Sequence, residues 1–106
     1  MRAVVCKALG PVEDLVYEPS WPDPVPGKGE VVVDVKSGSV NFPDVLMIQG
    51  KYQYSAEPPF VPGSELAGVI SAVGEGVTGY AVGDRVIARS GTGAFAEKAR
   101  AKVEQL

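Results

Sequence analysis

Apolar and polar residues alternate most cleanly in Glu30 to Lys36, where Val31, Val33 and Val35 recur at every second position. That is the period of a strand with one face turned inward. Glu65 to Val73 reads as a longer strand, with Gly68 inside it marking a bulge or a close approach by another backbone. Shorter strands are predicted over Arg2 to Ala8, Leu15 to Glu18, Arg85 to Ala88 and Ala94 to Ala99. Pro19, Pro22, Pro24 and Pro26 form a connector that cannot be helix or central strand. Turns fall at Gly27-Lys28-Gly29, Gly74-Glu75-Gly76, Gly83-Asp84 and Gly91 to Gly93, and Ser37 to Asn41 reads as a loop. The clearest helical stretch is Pro43 to Gln49, with Pro43 suited to a first turn and Gly50 to a left-handed stop. Lys51 to Pro62 is irregular, broken by Pro58-Pro59, and Lys102 to Leu106 shows no closing element. Short strands separated by frequent turns predict a mainly β fold, a barrel or sandwich, with one or two short helices.

The length of 106 residues suits one domain, and a hydrophobic share of 45% is enough for one core. The net charge of -3 and the scattering of Lys28, Lys36, Lys51 and Arg85 leave no basic run to follow a phosphate backbone. Nucleic acid is therefore not expected as a partner. No apolar stretch reaches the ~18–20 residues of a membrane-crossing helix, so no membrane partner is expected. Arg2 and Lys7 enclose a short apolar run unlike a secretory signal, and the single Cys6 cannot form an internal disulfide. Both features lead to the expectation of a cytoplasmic protein. With no histidine and one cysteine, a zinc site built from protein ligands is not expected either.

One apparent motif is set aside. Gly74-Glu75-Gly76-Val77-Thr78-Gly79 follows a strand and has the spacing of a dinucleotide fingerprint. That fingerprint needs a helix whose N-terminus meets the pyrophosphate, and here the Gly83-Asp84 turn follows too soon for one. These glycines are read as turn residues.

Pro62-Gly63-Ser64-Glu65-Leu66-Ala67-Gly68-Val69-Ile70, then Val73-Gly74, then Val82-Gly83-Asp84-Arg85-Val86 form a spaced series with Asn41-Phe42-Pro43-Asp44 before it. Gly29-Glu30-Val31-Val32-Val33 and Gly93-Ala94-Phe95-Ala96-Glu97 extend it at either end. The series resembles the medium-chain dehydrogenase/reductase superfamily over nearly the whole chain. The resemblance implies a GroES-like, partly open β-barrel spanning 1–106, an incomplete catalytic domain of the alcohol dehydrogenase N-terminal type. Zinc alcohol dehydrogenases carry Cys where Asn41 stands and His where Ser64 stands, so the chain looks like the zinc-free quinone oxidoreductase, zeta-crystallin-like branch. Those enzymes transfer hydride from NADPH to a quinone, or to the activated C=C of an enone or enoyl thioester. Hydrogen-bond donors must then stabilise the developing oxyanion in place of a metal.

Under this resemblance Asn41 contacts the nicotinamide end of the cofactor or the acceptor oxygen, since an amide both donates and accepts. The alternative is that Asn41 caps the short helix. Tyr52 matches the tyrosine proposed as proton donor in enoyl reductases of the branch. A phenol, with an ordinary pKa near ~10, is protonated at neutral pH and can deliver a proton after hydride arrives. Its alternative is packing at a barrel end, and Tyr54 lies close enough to be confused with it. Asp44 is read as a helix first-turn residue, Glu65 as an internal hydrogen-bonding group and Ser64 as a filler with no base beside it. Leu46, Met47 and Ile48 are read as core, Cys6 as a small strand side chain, and Asp84 as bonding its own turn.

The family's nucleotide-binding Rossmann domain has no counterpart in these residues. The expectation is that this chain alone is inactive, with NADPH serving the full-length enzyme, and that surfaces made to meet that domain promote self-association. The alternative function is a stand-alone GroES-like binding or assembly module without catalysis.

Overall fold

The longest strand, β3 (Glu30–Ser39), is the centre of the structure. In the computed structural model, which describes residues 1–106, it pairs on both edges. On one side lies β4 (Glu65–Val73), itself paired with β5 (Arg85–Arg89), and on the other lies β6 (Lys98–Lys102). All these pairings are antiparallel, and the sheet order is β5-β4-β3-β6. A second sheet pairs β1 (Ala3–Val5) with β2 (Val16–Glu18). The two sheets do not close on one another, which makes the fold a partly open, mainly β barrel of the GroES-like kind.

Alternation places Val31 and Val33 in the main core, with Leu66 and Ile70 from β4 and Ala88, Ala99 and Ala101 from β5 and β6. Alanines on the flanking strands leave room for the branched side chains of the central pair. Val32 is buried as well, so β3 is covered on both faces over its first half. A smaller core of Ala3, Val5 and Val61 lies under the first strand. Phe95 packs against both cores and joins them.

Gly68 holds both readings the sequence allowed. Lys36 is the extra residue where the register passes from Val35↔Gly68 to Ser37↔Ala67, which is a bulge. A Cβ at Gly68 would lie 2.0 Å from the Asp34 carbonyl oxygen, so the strands approach only because no side chain is there. The Gly74 to Gly79 stretch is a turn with positive φ at Gly76 and Gly79, and no helix follows it. Asp84 accepts a hydrogen bond from the Ala81 N–H at 2.9 Å within its own turn.

Four segments differ from the sequence expectation by more than one residue. The first strand is confined to Ala3–Val5 rather than reaching Ala8. Ser37 to Ser39, expected as a loop, continue β3, because Glu65 to Ala67 pair with them. Ala94 to Glu97, expected as the start of a strand, instead cross between elements: Ala94 and Phe95 N–H donate to the Gly63 and Pro62 carbonyls, and Glu97 N–H to that of Arg2. The strand begins only at Lys98. The C-terminal residues do close: Val103–Gln105 form a 3-10 turn and Leu106 packs on the main core.

Arg2 and Glu97 tie the first strand to this crossing segment. The Arg2 N–H donates to Glu97 Oε1 at 2.6 Å, and the guanidinium donates to Oε2 at 3.2 Å. These hydrogen bonds pull the Glu97 carboxyl from its ordinary 4.5 down to about 2. A depressed carboxyl stabilises the fold above its unfolded value and loses that contribution as pH falls through its folded one. Between pH 4.5 and about 2, acid unfolding of Glu97→Gln is therefore expected to show a shallower pH dependence than the parent, measured by urea denaturation at stepped pH. Gly68→Ala is expected to destabilise by about 2 kcal/mol or more, the scale of overpacking against unyielding backbone. A denaturation midpoint within error of the parent's would show that the Asp34 backbone can move away.

Candidate active site

The exposed end of the β3–β4 pair leads directly into the helix. β3 ends at Ser39, two residues carry the chain onward, and α1 (Phe42–Ile48) begins after Asn41. Asp44, almost fully buried, turns its carboxylate back to accept the Asn41 N–H at 2.8 Å, as in a capping box. Pro43 sits in the first turn, where its lack of an N–H costs nothing. Met47 and Ile48 are buried as core, while Gly50, at φ 71, ends the helix in the left-handed region. The helix end is held from the N-terminal side: Gly10 N–H donates to the Ile48 carbonyl at 2.8 Å.

The ladder places Glu65 directly opposite Ser39. Ser39 Oγ donates to Glu65 Oε2 at 3.0 Å. Asn41 Nδ2 donates to Ser39 Oγ at 2.9 Å and to Glu65 Oε2 at 3.4 Å. The Arg89 guanidinium stands 3.7 Å from Glu65 Oε1 from the next strand, on a side chain that is largely exposed. Of these residues, sequence reasoning found Asn41 and Glu65 and missed Ser39 and Arg89. The signal for Ser39 was its i, i+2 spacing from Asn41, which places two side chains on one side of an extended chain. Glu65 has the internal hydrogen-bonding role expected of it. Ser64 takes part through its backbone, its carbonyl accepting the Ser90 N–H at 2.9 Å.

Tyr52 lies beyond the helix stop, partly buried, with its ring edge-on to Tyr54 at 5.9 Å between centroids. No hydrogen bond joins it to Asn41. On either side of Asn41 stand Val40 and Phe42, which are 76% and 73% exposed. A recess of about 190 Å³ beside the cluster is lined by Ser37, Ser39, Glu65, Ala67 and Ile87. The larger groove, about 730 Å³, runs over the outer sheet face between Val69, Tyr80, Val86, Ile87 and Leu106, and neither Asn41 nor Tyr52 lines it. These residues thus supply an ordered polar cluster, an aromatic pair and exposed apolar neighbours, without an enclosing wall around them. Cys6 plays no part: it is buried, its thiol bonds the Ala8 carbonyl at 3.3 Å, and burial pushes its pKa up.

The alcohol dehydrogenase GroES-like domain family matches residues 27–106. The quinone oxidoreductase-like protein 2 homolog of Nematostella vectensis is 44% identical over 92 residues, covering 87% of this chain and 25% of that protein. An acryloyl-coenzyme A reductase of Sulfurisphaera tokodaii is 39% identical over 87 residues, covering 82% and 25%. The Escherichia coli quinone oxidoreductase, solved in complex with NADPH, superposes with a TM-score of 0.88 at 28% identity, over 99% of this chain and 32% of that one. The chain thus spans about a quarter of the length of these curated relatives and about a third of the solved one. Fold, motif series and these similarities agree: the chain belongs to the alcohol dehydrogenase GroES-like domain family, in the quinone oxidoreductase-like branch of the medium-chain dehydrogenase/reductase superfamily.

Proposed function

We propose that this chain is the substrate-side domain of an NADPH-dependent reductase that passes hydride to a quinone, or to the activated C=C of an enone or enoyl thioester, without zinc. The observation that carries this reading is the Ser39–Asn41–Glu65 cluster at the mouth of α1, in a chain that follows an NADPH-binding quinone oxidoreductase over 99% of its length. The names of two relatives support the two acceptor classes, one quinone-type and one an acyl-coenzyme A. An amide at position 41, a hydroxyl at position 64 and no histidine anywhere support a zinc-independent route.

NADPH, when bound, supplies the hydride. The residues here that suit its nicotinamide end are those of the Asn41 cluster, which offers hydrogen-bonding atoms on a partly exposed side chain held from two strands. The Gly-x-Gly-x-x-Gly stretch is a turn with no helix after it, so it is not proposed as a pyrophosphate site. Once the acceptor has taken hydride, it needs a proton. The Tyr52 phenol is the candidate donor, its ring steadied edge-on by Tyr54. The exposed Val40, Phe42 and Ile87 are apolar surface for a further domain or for self-association. A stand-alone binding or assembly module would share that exposed surface but has no need of the buried capping carboxylate and the hydrogen-bonded amide beside it.

Residues 1–106 alone are expected not to oxidise NADPH with quinone or enone acceptors. A protein in which the coding frame runs on past Leu106 into a strand–helix repeat is expected to do so. Steady-state NADPH oxidation by residues 1–106, above the rate of a Tyr52→Phe control, would overturn this reading. In the longer protein, Tyr52→Phe is expected to lower kcat on an enone about 10²-fold with little change in KM, the scale of a lost general acid. An unchanged kcat would leave Tyr52 a packing residue. Light scattering of residues 1–106 at high concentration is expected to show dimers or larger assemblies, and a clean monomer counts against exposed docking surface.

A further inference from the structure

One edge of β6 carries no strand, and the ladder fixes which of its backbone groups point there. Val35 N–H donates to the Glu97 carbonyl at 2.9 Å and Val103 N–H to that of Gly29 at 3.1 Å, in register with the Val33↔Ala99 and Val31↔Ala101 pairs between them. Bonded and unbonded pairs alternate along an antiparallel ladder. The odd-numbered residues of β6 therefore bond β3, and Lys98, Arg100 and Lys102 turn their N–H and C=O groups outward. Gln105 Oε1 takes the Lys102 N–H at 2.8 Å, while the N–H groups of Lys98 and Arg100 have no partner. A groove of about 690 Å³ runs along this edge, with residues 21–25 as its far wall. Trp21 N–H donates to the Met1 carbonyl at 2.8 Å, which anchors that wall. Pro22 and Pro24 have no N–H to give, and no backbone bond joins the wall to β6. The groove shares no lining residue with the recess beside the Asn41 cluster.

The charge along this edge has one sign. Lys98, Arg100 and Lys102 lie on one face of β6, in a chain whose net charge is -3. Lys98 Nζ stands 3.9 Å from Asp34 Oδ1 and Arg100 Nε 3.9 Å from Glu30 Oε1. Asp34 Oδ1 has no hydrogen-bond partner, so the first of these is a loose contact. Pairs this long, between side chains this exposed, hold their cations weakly. Ala99, Ala101 and Val61 line the groove on the opposite, inward side. We propose that this edge takes an extended acidic segment of a partner protein as an added strand. Its carboxylates, at alternate positions, face Lys98, Arg100 and Lys102, and small apolar side chains between them face Ala99, Ala101 and Val61. A second copy of β6 does not fit: antiparallel pairing sets Arg100 against Arg100 or Lys98 against Lys102. The charges that keep two such edges apart are the ones that select an acidic strand.

Trp21 is the only tryptophan in the chain and lines the groove, so its emission reports on what enters. Amide exchange of Lys98 and Arg100 in a ¹⁵N-labelled sample of the 106-residue chain gives a second readout. The probes are a blocked pentapeptide alternating Glu and Val, the same peptide with Lys for Glu, the Glu–Val peptide with its backbone nitrogens methylated, and a thymidine pentanucleotide. The expected result is a saturable change in Trp21 emission with the Glu–Val peptide, together with slowed exchange at Lys98 and Arg100. That peptide should bind about tenfold more tightly than the Lys–Val one, the worth of a few exposed ion pairs. Methylation removes the donors of the added strand without touching the protein, and is expected to abolish binding. In Arg100→Glu the preference for the acidic peptide is expected to fall toward one. Equal binding of the methylated peptide would overturn strand addition, and equal binding of the Lys–Val peptide would overturn the charge selection. A pentanucleotide that binds as tightly as the Glu–Val peptide would make the edge a general polyanion surface and overturn the peptide assignment. No change in either readout with the Glu–Val peptide at millimolar concentration would overturn the proposal.

Discussion

The close antiparallel ladder between β3 and β4 is the constraint on which the rest depends. It runs from Val31↔Val73 at one end to Ser39↔Glu65 at the other, with two register shifts. At its middle Gly68 lets the Asp34 carbonyl come where a Cβ would stand 2.0 Å away. One end of this ladder carries core valines, and the other carries the polar cluster. A single pair of strands thus converts burial of Val31, Val33 and Ile70 into a fixed distance between Ser39, Asn41 and Glu65. The energy comes from apolar area removed from water, and the site inherits the rigidity.

The cluster joins groups that are far apart along the chain but use short, directional contacts. Asp44 fixes the backbone of Asn41, while Ser39 and Glu65 fix its side chain. Only Asp44 of these is buried; Ser39 is exposed, and Asn41 and Glu65 are partly so. Order in the exposed part therefore rests on hydrogen-bond complementarity rather than on packing. An acceptor-only carboxylate and a hydroxyl whose proton is already committed leave the amide one orientation. The Arg89 contact adds charge to Glu65 from a third strand, but at 3.7 Å and high exposure it is weak.

Much of the fold was legible because alternation, proline and glycine act locally. Glu65 to Val73 is a strand with the bounds its pattern indicated, and the helix differs from Pro43 to Gln49 by one residue at each end. Gly50, Gly76 and Gly83 all take the positive φ their turns require. The misses are of another kind. Ser37 to Ser39 carry no hydrophobic period, so nothing local marks them as strand; pairing with Glu65 to Ala67 makes them one. Ala94 to Glu97 look strand-like but hand their N–H groups to two separate segments, Pro62–Gly63 and Arg2, because Gly93 at φ 104 redirects the chain.

The sequence by itself determined the mainly β class, the turn positions, the absence of histidine, the single cysteine and the motif series that marks the family, since each depends on residue type or on neighbours a few positions away. It also marked Asn41 and Tyr52 as candidates without saying what either touches. Only the tertiary structure decided that Glu65, 26 residues beyond Ser39 in sequence but directly opposite it in the ladder, meets Asn41, and that the amide nitrogen faces Ser39 and Glu65. Those are matters of which donors and acceptors the folded chain brings within 3.5 Å of each other, and no local pattern encodes that distance.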